Sequence, residues 1–304
     1  MTDVGHGANL LSSYLQIVAL SIKRLKFSKD ACCLKLILLT PILYIIGFRG
    51  ALDTGLGRVR SQSRLELRTM MYGFFKTYFC YLRMLTETFR QEGSFSVVVD
   101  VGANIGDFTI AMSSRADKII AIEPGRENFN RLKDNIQRNQ IDNVIAKNIA
   151  AHDKDEPLAL GGNNSDLHVS SSGEPVRGMR LDVLLDMLGI PEIDIVKVDV
   201  QGHEEHVLSG LQGLLEKARI RLTIVELHPK RGVSRGSIIN KMDSVGYQLV
   251  HEDDYLFDQS QLYFRRSSQR IHNSGAPHVS PFETTIQGDL TIERAPTLVR
   301  LQAL

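Results

Sequence analysis

Between residues 97 and 265 the chain alternates short apolar runs with longer amphipathic stretches, and few architectures accept that pattern. The runs are 97–101 (VVVDV), 118–123 (KIIAIE), 143–150, 194–200 (DIVKVDV) and 219–227 (RIRLTIVEL). They are apolar on consecutive residues rather than on alternate ones, as strands covered on both faces must be. Between them, Phe129, Leu132 and Ile136 recur at helical intervals within 124–139. Further helices are predicted over 108–114, 181–188 (ended by Gly189 and Pro191), 203–217 and 234–245. The polar stretch 153–172 reads as strand fragments and turns. Two late runs, 247–251 and 261–265, are predicted to pair as an antiparallel hairpin. The fold class that results is α/β: a mostly parallel sheet with helices on both faces.

The 304 residues carry a net charge of only +1, which hides a split. Residues 1–90 hold 13 Lys and Arg against 5 Asp and Glu, or +8; residues 91–304 hold 23 against 30, or −7. A basic extension therefore precedes an acidic body, and either docks on it or meets an anionic partner such as a membrane surface. The extension contains the most apolar stretch of the chain, 36–48 (LILLTPILYIIGF). Its 13 residues, broken by Pro41, fall short of the roughly 20 that a membrane span needs. A buried or interfacial helix fits it better, and residues 1–50 are where peripheral membrane contact is expected. Helices over 17–24 and 74–89, and a strand within 58–68, complete a mainly helical extension over 1–90. The body spans 91–266, and the Ser-, Pro- and Thr-rich residues 267–304 read as a disordered tail. Cys32, Cys33 and Cys80 show neither disulfide-scaffold nor zinc-ligand spacing and read as buried thiols. The apolar run starts too far along the chain for a standard signal peptide, and the protein is expected in the cytoplasm, peripheral at most at the inner membrane face. No nucleic-acid partner is indicated.

In sheets of this kind ligands bind at the carboxyl ends of the strands. The first strand ends in Asp100-Val101-Gly102-Ala103-Asn104-Ile105-Gly106-Asp107, where two glycines permit a tight turn and close approach of backbone to a ligand. The spacing is G-x-x-x-G rather than the G-x-G-x-x-G of dinucleotide sites. Asp100 and Asp107 would repel a diphosphate but suit a sulfonium or ammonium group. Glu123, 17 residues after Gly106, closes the second strand, where a carboxylate accepts from ribose hydroxyls. Ribose plus a cation, without phosphate, describes S-adenosylmethionine.

These motifs, with Asp194–Glu204 (DIVKVDVQGHE) and Ile224–His228 (IVELH), resemble the FkbM family of S-adenosylmethionine-dependent methyltransferases over roughly residues 95–265. The resemblance implies the Rossmann-like class I methyltransferase fold, a seven-stranded mostly parallel sheet with a C-terminal antiparallel hairpin. It also implies S-adenosylmethionine as donor and a hydroxyl of a sugar, glycan or natural product as acceptor. On it, Asp100, Gly102, Asn104 and Gly106 match the donor loop, with Ala103 between them, and Glu123 matches the ribose acid. One departure stands out: Gln201 occupies a position where the family usually carries an acid.

Asp199 ends the fourth strand, Gly202 permits a sharp exit, and His203 and Glu204 begin a helix. His203 is the first choice of base for an acceptor hydroxyl, by its ordinary pKa; Asp199, Glu226 and His228 form the next group. His203 and His206 stand at i and i+3, one short of the i, i+4 zinc pattern, so no metal ligand set is assigned, although acids such as Asp199 and Glu226 can hold a loose divalent ion. Ala150 and Ala151 offer backbone N–H groups where adenine would sit, and 163–165 would line the acceptor side. The reading is an O-methyltransferase of a small molecule or glycan; a non-catalytic donor-binding or membrane-associated module is the alternative. The sequence does not specify the oligomeric state.

Overall fold

A computed structural model describes residues 50–53, 58–61, 85, 94–162, 166–254 and 260–267. The apolar run 36–48, the three cysteines, the expected helix over 17–24, most of that over 74–89, residues 163–165 and the tail beyond Ser267 lie outside the described residues. By backbone contacts the chain divides into Met1–Arg266 and Ser267–Leu304. None of the described helices is long and apolar enough to cross a membrane.

In chain order the elements begin with a hairpin, β1 (Gly50–Asp53) and β2 (Arg58–Ser61), which realises part of the strand expected within 58–68. The body follows: β3 (Phe95–Val101), α1 (Asp107–Ser113), β4 (Ala116–Ile122), α2 (Arg126–Arg138) and β5 (Val144–Lys147). Next come β6 (Ala150–Ala151), β7 (Pro157–Gly161), β8 (His168–Ser170), β9 (Glu174–Met179), α3 (Leu181–Met187) and β10 (Ile193–Val198). The last are α4 (Glu204–Gly210), α5 (Gln212–Glu216), β11 (Ile220–Glu226), α6 (Arg235–Ser244), β12 (Tyr247–Asp254) and β13 (Ser260–Arg266).

Seven strands form the main sheet in the order β12-β13-β11-β10-β3-β4-β5. β5, β4, β3, β10 and β11 run parallel, while β13 pairs antiparallel with both β11 and β12. The expected C-terminal hairpin is therefore present, and β12 runs on to Asp254. Both faces are covered. Val99, Val101, Val196 and Val198 pack with Leu181, Leu185, Val207, Leu211 and Ile238 on one side. Val98, Ile119, Ile195 and Ile224 pack with Leu85, Phe108, Met112 and Tyr263 on the other.

The structure departs from the sequence expectations in three places. The third strand ends at Lys147, and Ala150–Ala151 leave the main sheet to pair with Gly178 and Met179. The partner β9 (EPVRGM) carries Pro175 and Gly178 and only two large apolar side chains, Val176 and Met179, so it lacks a strand's apolar signature. It joins a small sheet of order β6-β9-β7-β8 over a core of Ala150, Leu160 and Val176. Finally, the helix expected over 203–217 is split at Leu211 into α4 and α5. Gly210 and Gly213 weaken it there. Gly210 also lies against the chain after β6, where an added Cβ would stand 2.1 Å from the His152 carbonyl oxygen.

One row across the sheet is not apolar. Lys197 opposes Asp100 in register, and both are buried on the face covered by α1. Lys197 Nζ lies 3.0 Å from Asp100 Oδ1 and 5.6 Å from the centre of the Phe108 ring. Thr109 Oγ1 donates to the other Asp100 oxygen at 2.6 Å. Removing one partner of a buried ion pair strands the other charge, at a cost of about 3–5 kcal/mol. Lys197→Met is therefore expected to lower the unfolding free energy by about that amount in denaturant titrations, and Lys197→Met with Asp100→Leu is expected to recover most of it. Additive losses in the double variant would contradict this account.

Candidate active site

The strand order reverses between β3 and β10, so a crevice opens at the carboxyl ends of these two strands. The loop after β3 is built on left-handed backbone: Gly102 has φ 80°, Asn104 51° and Gly106 96°. A Cβ on Gly102 would stand 1.9 Å from the Asp199 carbonyl oxygen, so only glycine lets this loop lie against the end of β10. The Gly102 and Ala103 N–H groups both donate to the Ile122 carbonyl, at 2.9 Å, which ties the loop to β4.

Glu123 completes that tie. Its Oε2 accepts from the Asn104 backbone N–H at 2.8 Å, and its Oε1 from the Gly125 N–H at 2.9 Å and the Asn128 amide at 3.4 Å. Burial pushes its carboxyl up to about 7, although these three donors pull the other way. Asp100, whose oxygens are engaged by Lys197 and Thr109, lies beneath the loop. Ala103 is buried in the loop, and Ala150 and Ala151 are buried in β6.

Across the crevice, β10 exits through two left-handed residues, Gln201 (φ 54°) and Gly202 (φ 102°). A positive φ at a glutamine is strained, and such strain is held only where surrounding contacts impose it. The contact here is Gln201 Nε2 at 2.8 Å from His228 Nε2 and 3.5 Å from Asp199 Oδ1. His228, just beyond β11, is buried and lies 2.6 Å through Nδ1 from Glu204 Oε1. Its Nε2 is 3.6 Å from Asp199 and 3.8 Å from Glu226. Burial lowers the His228 pKa, but Glu204, Asp199 and Glu226 outweigh it and hold the imidazole above its ordinary value. In the neutral ring with Nδ1–H donating to Glu204, Nε2 accepts from the Gln201 amide.

Of the four residues read as catalytic, the structure therefore brings Asp199, Glu226 and His228 together. His203 joins a different group, with His152 and His206. Burial and the two neighbouring imidazoles lower its pKa to about 4. Two contributors were not read from the sequence. Lys197 had a signal, a cation in the middle of an apolar strand. Glu204 was read only as a helix-start acid, and its bond to His228 links residues 24 apart.

Asp100, Glu123, Asp199, Glu204 and Glu226 thus line one edge of the sheet, opposed there by Lys197 and the His228 imidazole. This acidic crevice, bordered by a glycine loop and a ribose-type acid, suits a cationic nucleoside rather than a diphosphate. The sheet order and the antiparallel C-terminal hairpin are those of the Rossmann-like class I methyltransferase fold.

Residues 100–249 match the family model described as the methyltransferase FkbM domain. The chain is similar to the hexuronic acid methyltransferase AglP of Haloferax volcanii, at 28% identity over 48% of this chain and 61% of that protein. It is similar to the 31-O-demethyl-FK506 methyltransferase FkbM of Streptomyces tacrolimicus, at 26% identity over 60% of this chain and 83% of that protein. It also superposes on the crystal structure of a methyltransferase FkbM from Methylobacillus flagellatus KT, with a TM-score of 0.44 and 17% identity over 77% of this chain and 61% of the other. The match to AglP spans about three fifths of that relative's length. Residues 100–249 therefore form an FkbM methyltransferase domain.

The raised Glu123 carboxyl has a consequence for stability. Its folded pKa lies above its unfolded value near 4.5, so its contribution is fully present below pH 4.5 and is lost as pH rises through about 7. Glu123→Gln stays neutral throughout. Relative to that variant, the ligand-free wild type is expected to lose on the order of 3 kcal/mol between pH 4.5 and pH 8 in denaturant unfolding. A difference that does not change with pH would show that Glu123 is ionised throughout.

Proposed function

We propose that the protein is an S-adenosylmethionine-dependent O-methyltransferase acting on a hydroxyl of a sugar, glycan or natural product. The observation that carries the reading is the buried Glu204–His228 pair, whose Nε2 faces Gln201, Asp199 and Glu226 beside the donor loop. When bound, S-adenosylmethionine supplies a methyl group on a sulfonium sulfur, and the work left to the chain is alignment and proton transfer.

Backbone at Gly102, Ala103, Asn104 and Gly106 would cradle the donor, and Glu123 would accept from its ribose hydroxyls. Ala150 and Ala151 would border the adenine. Asp100 acts as a positioning residue, since Lys197 and Thr109 engage its two oxygens. His228 would accept the proton of the acceptor hydroxyl at Nε2, once that hydroxyl displaces the Gln201 amide. Glu204 would hold the ring and favour the imidazolium that results. Gln201 stands where the family usually has an acid, and as an amide it can donate to the base nitrogen, which a carboxylate cannot. The acceptor class is supported by AglP and FkbM, whose names describe methyl transfer to a hexuronic acid and to position 31-O of a demethylated FK506.

Calorimetry on the full chain should show saturable S-adenosylmethionine binding; its absence would overturn the reading. Methyl-release assays with uronic-acid glycans and hydroxylated macrolides would then identify the acceptor class. His228→Asn is expected to lower turnover by roughly 10²–10⁴-fold while donor affinity is kept. The pH profile separates the two histidines. A base at His228 makes the rate rise through a pKa above 6.5, whereas a base at His203 would place the rise near 4.

A further inference from the structure

The histidine group set apart from the acceptor side is a second constellation. His152 follows β6, and His203 and His206 open α4. One ring nitrogen from each can be chosen so that all three lie within 4.8 Å of one another. His152 Nδ1 is 2.9 Å from His203 Nε2, and the His203 and His206 rings stack with centres 4.3 Å apart. Asp153 borders the cluster as an outer carboxylate: its Oδ1 lies 3.3 Å from His206 Nδ1 and 3.1 Å from His152 Nε2. Behind His152, Glu156 Oε1 lies 3.0 Å from Nε2, the outer carboxylate that turns the Nδ1 lone pair toward the cluster.

From these residues we infer that His152, His203 and His206 form a binding site for a zinc-class divalent ion that clamps the chain after β6 to the start of α4. Three imidazoles make a donor set for such an ion that leaves the fourth tetrahedral position to water. Two ligands spaced i and i+3 on one helix are an established way to present such groups to a shared ion. In a tetrahedral site with bonds of about 2.0–2.1 Å, ligand nitrogens lie about 3.4 Å apart. The chosen nitrogens lie within 4.8 Å of one another, and the stacked rings can converge on an ion by turning about χ2, a soft torsion in histidine. Backbone packing holds the two segments together: Gly210 in α4 lies against the His152 carbonyl, and His152 N–H donates to Met179 O at 2.9 Å. The separate group Asp199, Glu226 and His228 carries two carboxylates and one imidazole, a set that favours zinc less strongly.

The test is a titration of the chelator-stripped full chain with Co²⁺, followed by displacement with Zn²⁺. Expected are one equivalent bound, visible absorption of tetrahedral intensity, and a melting temperature raised by a few degrees. His206 is half exposed, so His206→Ala should fold, as far-UV circular dichroism in chelator will show. That variant and His152→Gln should each lose affinity by more than the roughly 10–100-fold that an outer partner is worth. His228→Asn should bind as the wild type does. Failure of the wild type to bind micromolar zinc would overturn the inference. So would binding that survives His206→Ala and His152→Gln but is lost in His228→Asn, which would place the ion in the acceptor crevice.

Discussion

The structure depends on one buried ion pair at the centre of its sheet. Asp100 and Lys197 face each other across the junction of β3 and β10, the place where the strand order reverses and the crevice opens. A buried charge is tolerated only when paired and hydrogen-bonded, so Thr109 on α1 supplies the remaining bond to Asp100. The same lysine lies 3.7 Å from Asp199, so one cation stands beneath both the donor loop and the exit of β10. Hydrophobic burial holds the layers together, but it is indifferent to register. The pair adds a polar constraint at the junction that carries the site.

Around this junction the chain is held in conformations it would not choose alone. Asn104 and Gln201, on opposite rims of the crevice, are both left-handed without being glycine. Each is restrained by a side-chain contact: the Asn104 N–H by Glu123, and the Gln201 amide by His228 and Asp199. The strain is borne by bonds that cross between strands, which leaves both loops shaped in advance of a ligand. Glu123 has a double part here, since the oxygens that would meet a ribose also lock the loop to the end of β4. Much the same holds for Glu204, which begins a helix and also fixes the ring orientation of His228.

Much of the fold was legible because the strands are covered on both faces. VVVDV, KIIAI and DIVKV are continuous apolar runs, and the glycines of Gly102–Gly106 stand where the first of them ends. The strand Glu174–Met179 escaped notice, because a short strand over a small core carries little apolar signal and Pro175 and Gly178 argue against it. The break at Leu211 escaped for a related reason. The helical pattern runs through it, and the cause lies in a backbone contact between Gly210 and His152, 58 residues earlier.

The sequence by itself determined the fold class, the glycine loop and the carboxylate that closes the second strand, because each is a local pattern: a run, a turn, or a carboxylate at a strand end. The choice between histidines was a matter for the tertiary structure. By its ordinary pKa His203 stood first as base, and by spacing His206 fell one residue short of a metal pair. Folding carried His152 up to them from 51 residues before His203, and turned His228 onto Glu204 across the sheet. The role of an imidazole is set by the groups within a few ångströms of its two nitrogens. Those neighbours come from strands distant in the chain, and only their packing brings them together.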